Sequence, residues 1–147
     1  MHRFLLPALL IVVTFNNPTH SQNYQREEAA VRKVLDDQVA AWNKGDLERF
    51  MLGYWKSPSL TFFSGKEKTS GWDATLMRYR QRYQAKDVEM GILSFTDLDI
   101  QVLGPDSAFV RGKFHLARIK DAPTGRFTLI FKRLPEGWRI IHDHTSV

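Results

Sequence analysis

The sequence predicts a single α+β domain, and two patterns predict it. Up to about residue 83, apolar residues recur at helical spacing. From Val88 onwards they alternate with a period of two. A chain of 147 residues suits one domain, and its ten Phe, four Trp and four Tyr are enough to fill a core.

The first helix is expected over Gln25–Lys44. Val31, Val34, Leu35, Gln38 and Trp42 fall on one face. Glu27 and Glu28 stand near its positive end and Lys44 at its negative end. Gly45 stops it, and Asp46 can cap a short second helix reaching about Tyr54. Ser59–Ser64 reads as a strand and Gly65–Ser70 as a polar turn region. Ser70-Gly71-Trp72-Asp73 has capping-box spacing, and Trp72, Thr75, Leu76, Tyr79 and Tyr83 then share a helical face. Leu98, Ile100 and Val102 alternate with polar neighbours. After the Gly104-Pro105-Asp106 turn, Ala108–Ile119 forms the next strand. A loop over Asp121–Gly125 leads into a closing hairpin of Phe127–Leu134 and Trp138–Thr145.

Ahead of this domain, Met1-His2-Arg3 is basic and Phe4–Val13 is apolar apart from Pro7. Thr19 and Ser21 bracket His20 as small residues. This is the layout of a secretory signal peptide over residues 1–21, leaving 22–147 as the mature domain. The alternative is a buried N-terminal helix. The apolar run of about 10 residues falls short of the roughly 20 that span a bilayer. The expected destination is secreted or periplasmic, with no membrane anchor after cleavage. The chain has no cysteine, which excludes disulfides, thiolate metal sites and thiol nucleophiles. The net charge of +5 is a mild excess.

Four segments resemble a known family: Trp42-Asn43-Lys44-Gly45-Asp46-Leu47, Gly71-Trp72-Asp73-Ala74, Gly125-Arg126-Phe127-Thr128-Leu129 and Gly137-Trp138-Arg139-Ile140-Ile141-His142-Asp143-His144-Thr145-Ser146. Together they are similar to the SnoaL-like branch of the nuclear transport factor two-like (ketosteroid isomerase-like) superfamily. The last segment also resembles the association domain of calcium/calmodulin-dependent kinase, which ends in Trp-x-Ile-x-His-x-His. The resemblance implies a cone-shaped barrel, a bent antiparallel sheet wrapped around about three N-terminal helices, with a pocket at the open end. It also implies a homodimer through the outer sheet face. Function within that superfamily ranges from isomerases and dehydratases to binding modules, so it must be argued from the site.

On strand alternation over Ala108–Ile119, Phe109, Arg111, Lys113 and His115 share one face. The resemblance turns Phe109, Arg111, Ile141, Asp143 and Thr145 inward, with Leu129 between them. Arg111 and Asp143 then form a charge couple in an aromatic cavity, either as a ligand anchor or as a purely structural ion pair. Trp42, Tyr54, Trp72 and Tyr79 line the mouth or belong to the core. By the same register Val110, Phe114, Leu116, Trp138, Ile140, His142 and His144 face outward, an apolar surface that a second copy would cover.

The first strand lacks the carboxylate that ketosteroid isomerase chemistry needs, which leaves Asp143 and His115 as acid–base candidates. His142 and His144 share a face, but two ligands make no metal site. Arg78, Arg80 and Arg82 do not form one phosphate-tracking stripe, and no nucleic-acid partner, metal or cofactor is expected. The expected function is binding of a small organic molecule with an apolar body and one carboxylate or carbonyl oxygen. The alternatives are a small isomerase, dehydratase or hydrolase, and an oligomerisation module without a ligand.

Overall fold

The computed structural model describes residues 20–147. The basic and apolar parts of the expected signal peptide lie outside the described residues. The elements are α1 (His20–Trp42), α2 (Leu47–Met51), β1 (Thr61–Ser64), β2 (Glu67–Ser70), α3 (Trp72–Tyr83), β3 (Ile92–Val102), β4 (Ser107–Ala117), β5 (Thr124–Leu134) and β6 (Gly137–Ser146). The six strands form one open sheet in the order β2-β1-β6-β5-β4-β3. All neighbouring pairs are antiparallel except β1 and β6, which run parallel.

α1 starts five residues before the expected Gln25, and the face read from its spacing is the buried one: Val31, Leu35, Gln38 and Trp42 are all buried. Glu27 does more than favour the helix end. Its carboxylate accepts from Arg133 Nη1 and Trp138 Nε1, each at 2.7 Å, and ties α1 to the sheet. Asp46 caps α2 by accepting from the Arg49 backbone N–H at 2.9 Å. The stretch expected as a turn region holds β2, which pairs with β1 through a tight turn at Gly65, φ 58°. The capping box at Ser70 does not form. Gly71 occupies the N-cap with φ 94°, a conformation a Ser side chain would resist, and offers no side-chain cap.

Two bulges decide which side chains reach the interior. In β3 the register shifts between Thr96 and Asp99, with Asp97 at φ 51°. In β6, Phe131 pairs with Ile140 and Ile130 with His142, so Ile141 is the extra residue. Before it Trp138 and Ile140 point inward; after it Asp143 and Thr145 do. A regular strand cannot bury both sets.

In β4 the inward residues are Ala108, Val110, Gly112, Phe114 and Leu116. The expected register is therefore off by one there. Phe109, Arg111 and His115 lie on the outer face, and the apolar residues assigned outward on β4 are core. Gly112 fits because a Cβ there would stand 2.5 Å from the Phe127 ring. The outer face instead carries ion pairs, Asp99–Arg111 and Asp97–Lys113, among scattered apolar residues such as Ile130. Among the apolar residues assigned to that face, Trp138 and Ile140 are also buried inside; of the set, His142 and His144 remain outside.

Candidate functional site

The helices cross the inner face of the sheet and leave a cavity of about 110 Å³ between the end of α1, the end of α2, α3 and strands β1 and β3–β6. Its walls are rings. Tyr79 is the hub, with centroids 5.3 Å from Phe50, 5.7 Å from Phe62 and 5.8 Å from Tyr83. Trp42 closes one side, edge-on to Tyr83 at 4.8 Å. Phe95, Phe114, Phe127 and Leu129 supply the sheet wall.

At the floor lies Asp143, 4% exposed. How Tyr54 reaches it follows from the backbone. The Trp55 N–H donates to the Ile140 carbonyl and the Ile140 N–H donates to the Gly53 carbonyl, both at 2.9 Å. That short parallel bridge lays Tyr54 beside β6, just before the bulge. Its hydroxyl donates to Asp143 Oδ2 at 2.7 Å. Thr145 Oγ1, two residues along the same face, donates to Oδ1 at 2.7 Å. The Tyr79 hydroxyl stands 3.5 Å from that of Tyr54. Since Tyr54 spends its proton on Asp143, Tyr79 is left to donate either to Tyr54 or to a ligand.

Burial pushes the Asp143 carboxyl up to about 6, although the two hydroxyl donors and His144 oppose the rise. Burial also raises both tyrosines, with the Asp143 charge adding to it, so they stay protonated as donors. The floor thus offers a proton acceptor beside a hydroxyl donor, inside an aromatic wall.

Of the residues singled out in the sequence, Trp42, Tyr54, Tyr79, Leu129, Asp143 and Thr145 come together here. The others do not. Arg111 pairs with Asp99 on the outer face, and Phe109 lies beneath its guanidinium there, 5.4 Å away. There is no Arg111–Asp143 couple. His115 is exposed on the outer side of β4, so it is not the acid–base partner of Asp143. Ile141 is the bulge residue and stays outside the cavity. Trp72 is core: its Nε1 donates to the Met51 carbonyl at 2.8 Å. His142 accepts or donates through Nδ1 to Thr61 Oγ1 at 2.6 Å, and its ring meets Phe63 edge-on at 5.0 Å. No group of three metal-ligating side chains occurs among the described residues.

Several lining residues escaped the sequence reading: Gln38, Phe50, Phe62, Phe95, Phe114, Phe127 and the arginines Arg78, Arg82 and Arg118. The signal for Phe62, Phe95, Phe114 and Phe127 was the strand alternation itself, read in the correct phase. For Arg82 it was the i, i+3 spacing to Tyr79, and for Arg78 the i, i+4 spacing to Arg82.

A SnoaL-like domain model matches residues 31–147. No curated protein matches the chain. Among solved structures, an NTF-2-like protein of unknown function from Shewanella oneidensis MR-1 is 38% identical, with 81% of this chain and 98% of that one covered and a TM-score of 0.76. An NTF2-like superfamily protein from Salmonella enterica serovar Typhimurium LT2 is 19% identical over 83% and 91%, TM-score 0.71. A ketosteroid isomerase-like protein from Erwinia carotovora atroseptica SCRI1043 is 14% identical over 84% and 97%, TM-score 0.64. The last two show a shared fold only. With its family model spanning most of the sequence, its open sheet and its N-terminal helices, this chain belongs to the SnoaL-like family.

Proposed function

We propose that the protein binds a small organic molecule with an apolar body of single-ring size and a hydrogen-bonding group directed at Asp143 and Tyr79. One observation carries this reading: a buried carboxyl faces an aromatic cavity and is held by two neutral hydroxyls. A purely structural carboxylate would be expected to find a cation, because an unpaired buried charge costs several kcal/mol. Asp143 accepts hydroxyl donors and keeps lone pairs toward the cavity. The volume of about 110 Å³ is comparable to the roughly 150 Å³ cavity that admits benzene.

Calorimetric titration with 3-phenylpropan-1-ol and 3-phenylpropanoate tests the reading. At least one should bind with a dissociation constant below about 1 mM. Ser64→Phe, which places a ring at a half-buried lining position on β1, should weaken that binding at least tenfold while the fold persists by circular dichroism. Failure of both probes to bind the native protein would overturn it.

A second reading is favoured by the raised carboxyl alone. An acid near pH 6, in a cavity, beside a tyrosine donor, can take a proton from carbon next to a carbonyl that Tyr79 polarises. In this reading Asp143 acts without His115.

A further inference from the structure

The two ends of the cavity differ in charge. Asp143 is the one acidic side chain among the lining residues, and it lies at the floor. Toward solvent stand three guanidinium groups: Arg78 and Arg82 from α3, and Arg118 just past β4. None of them reaches Asp143 as an ion-pair partner.

Their existing partners leave capacity. Arg78 Nη1 lies 2.5 Å from Glu67 Oε2, and its guanidinium covers the Phe62 ring at 5.5 Å. Arg118 Nε lies 3.1 Å from Asp121 Oδ1, but its N–H does not point at that oxygen. This nitrogen is buried and has no hydrogen-bond partner. A buried N–H without an acceptor is costly, and a ligand oxygen at the mouth would relieve it. Arg82 is exposed and rests 5.6 Å over the Tyr83 ring; it pairs with no carboxylate among the described residues.

We infer that the ligand is an amphipathic carboxylate whose ring enters the aromatic cavity, with a neutral hydrogen-bonding group toward Asp143 and Tyr79, while its carboxylate stays at the mouth, held by Arg82 and by Arg118 Nε. This rests on the cavity reading above and narrows it to a ligand class. The orientation follows from the charges. A carboxylate pushed to the floor would meet Asp143 with little water between them, whereas at the mouth it meets guanidinium donors with matching fork geometry. Electrostatics was expected to anchor a carboxylate through Arg111. The cations that can do so come instead from α3 and the β4–β5 connection.

The experiment compares 3-phenylpropanoate with 3-phenylpropan-1-ol on the native protein, Arg82→Gln and Arg118→Gln at pH 7.5. The two probes share a body and differ in charge. The native protein should prefer the acid by about tenfold, and added salt should shrink that ratio. Each variant should reduce the ratio, Arg82→Gln to near unity. Equal native affinities, or a preference that survives both variants, would overturn the inference while leaving the cavity reading intact. Binding of neither probe defeats the cavity reading, and the inference falls with it.

Discussion

Asp143 and Asp99 are two aspartates on opposite faces of one sheet, and the sheet treats them oppositely. Asp99 is about half exposed and pairs with Arg111, also about half exposed, across the β3–β4 ladder. Asp143 is buried and accepts from the uncharged hydroxyls of Tyr54 and Thr145. A guanidinium stays where water can still solvate it. A carboxyl taken inside is satisfied by hydroxyls and becomes easier to protonate. The outer pair is ordinary surface electrostatics; the inner acid is a group that can respond to a ligand or to pH.

What separates these two environments on β6 is one residue, Ile141. Were Ile141 paired as an ordinary strand residue, Trp138 and Ile140 would fall into the same alternation as His142 and His144. Either two buried apolar residues or Asp143 and Thr145 would then face the wrong side. Trp138→Ala, which empties the inward position before the bulge, carries the largest effect expected: about 3–5 kcal/mol, read by denaturant unfolding. A loss below about 1 kcal/mol would mean that Trp138 does not face inward before the bulge.

The bulge also explains what the sequence could and could not reveal. Trp138 and Ile140 need burial, and so do Asp143 and Thr145 once the family likeness is admitted. The two sets have opposite parity, and that conflict was the available sign of an extra residue. On β4 the difficulty was different. Both faces present acceptable core residues, Phe109 on one and Val110, Phe114 and Leu116 on the other. Gly112 hides an inward position, because an absent side chain reads as neither polar nor apolar. Carrying Arg111 inward by resemblance then displaced His115 with it. Helical faces were easier. Three or four matched positions on α1 and α3 fix a phase that one ambiguous residue cannot reverse. Trp42 and Tyr79 were accordingly placed well, while Trp72, two turns before Tyr79 on the same face of α3, packs away from the cavity.

The inner acid should give a pH signature that the outer one lacks. The Asp143 carboxyl moves from its ordinary 3.8 to about 6 in the folded protein. Below pH 4 both folded and unfolded states carry it protonated, so it does not oppose folding. Between about pH 4 and 6 the unfolded chain ionises first, and the folded state loses stability as pH rises. Above about pH 6 that loss is complete, of order 2–3 kcal/mol from this group. Asp143→Asn keeps the shape and removes the titration. Denaturant unfolding at pH 4 and pH 7 should therefore show the variant gaining relative to the native protein at pH 7. An unchanged difference between the two pH values would place Asp143 outside the low-dielectric interior. The same variant tests proton transfer: native protein should speed α-proton exchange of 4-phenylbutan-2-one in deuterated buffer, and Asp143→Asn should not. No native enhancement leaves binding as the whole function.

The smallest effect belongs to the outer pair. The family resemblance makes Arg111→Leu a decisive change, since it turns Arg111 into the cavity. With Arg111 on the opposite face of the sheet, the substitution removes one half-exposed ion pair and nothing that a ligand touches. Asp99 would remain partly solvated, so its loss of a partner is screened. The cost should be below about 1 kcal/mol in 0.15 M salt and should shrink further as salt rises. Affinity for 3-phenylpropanoate should change by less than twofold. A tenfold loss of affinity from Arg111→Leu, with the fold retained, would restore the register in which β4 turns Arg111 toward the cavity. Because Gly112, Phe114 and Leu116 move with that register, the same result would also require their burial to be exchanged for that of Phe109 and His115. Hydrogen exchange at the β4 amides cannot distinguish the two phases, since both keep the ladder. The side chain of Arg111 can, which makes this smallest predicted effect the sharpest check on which face is which.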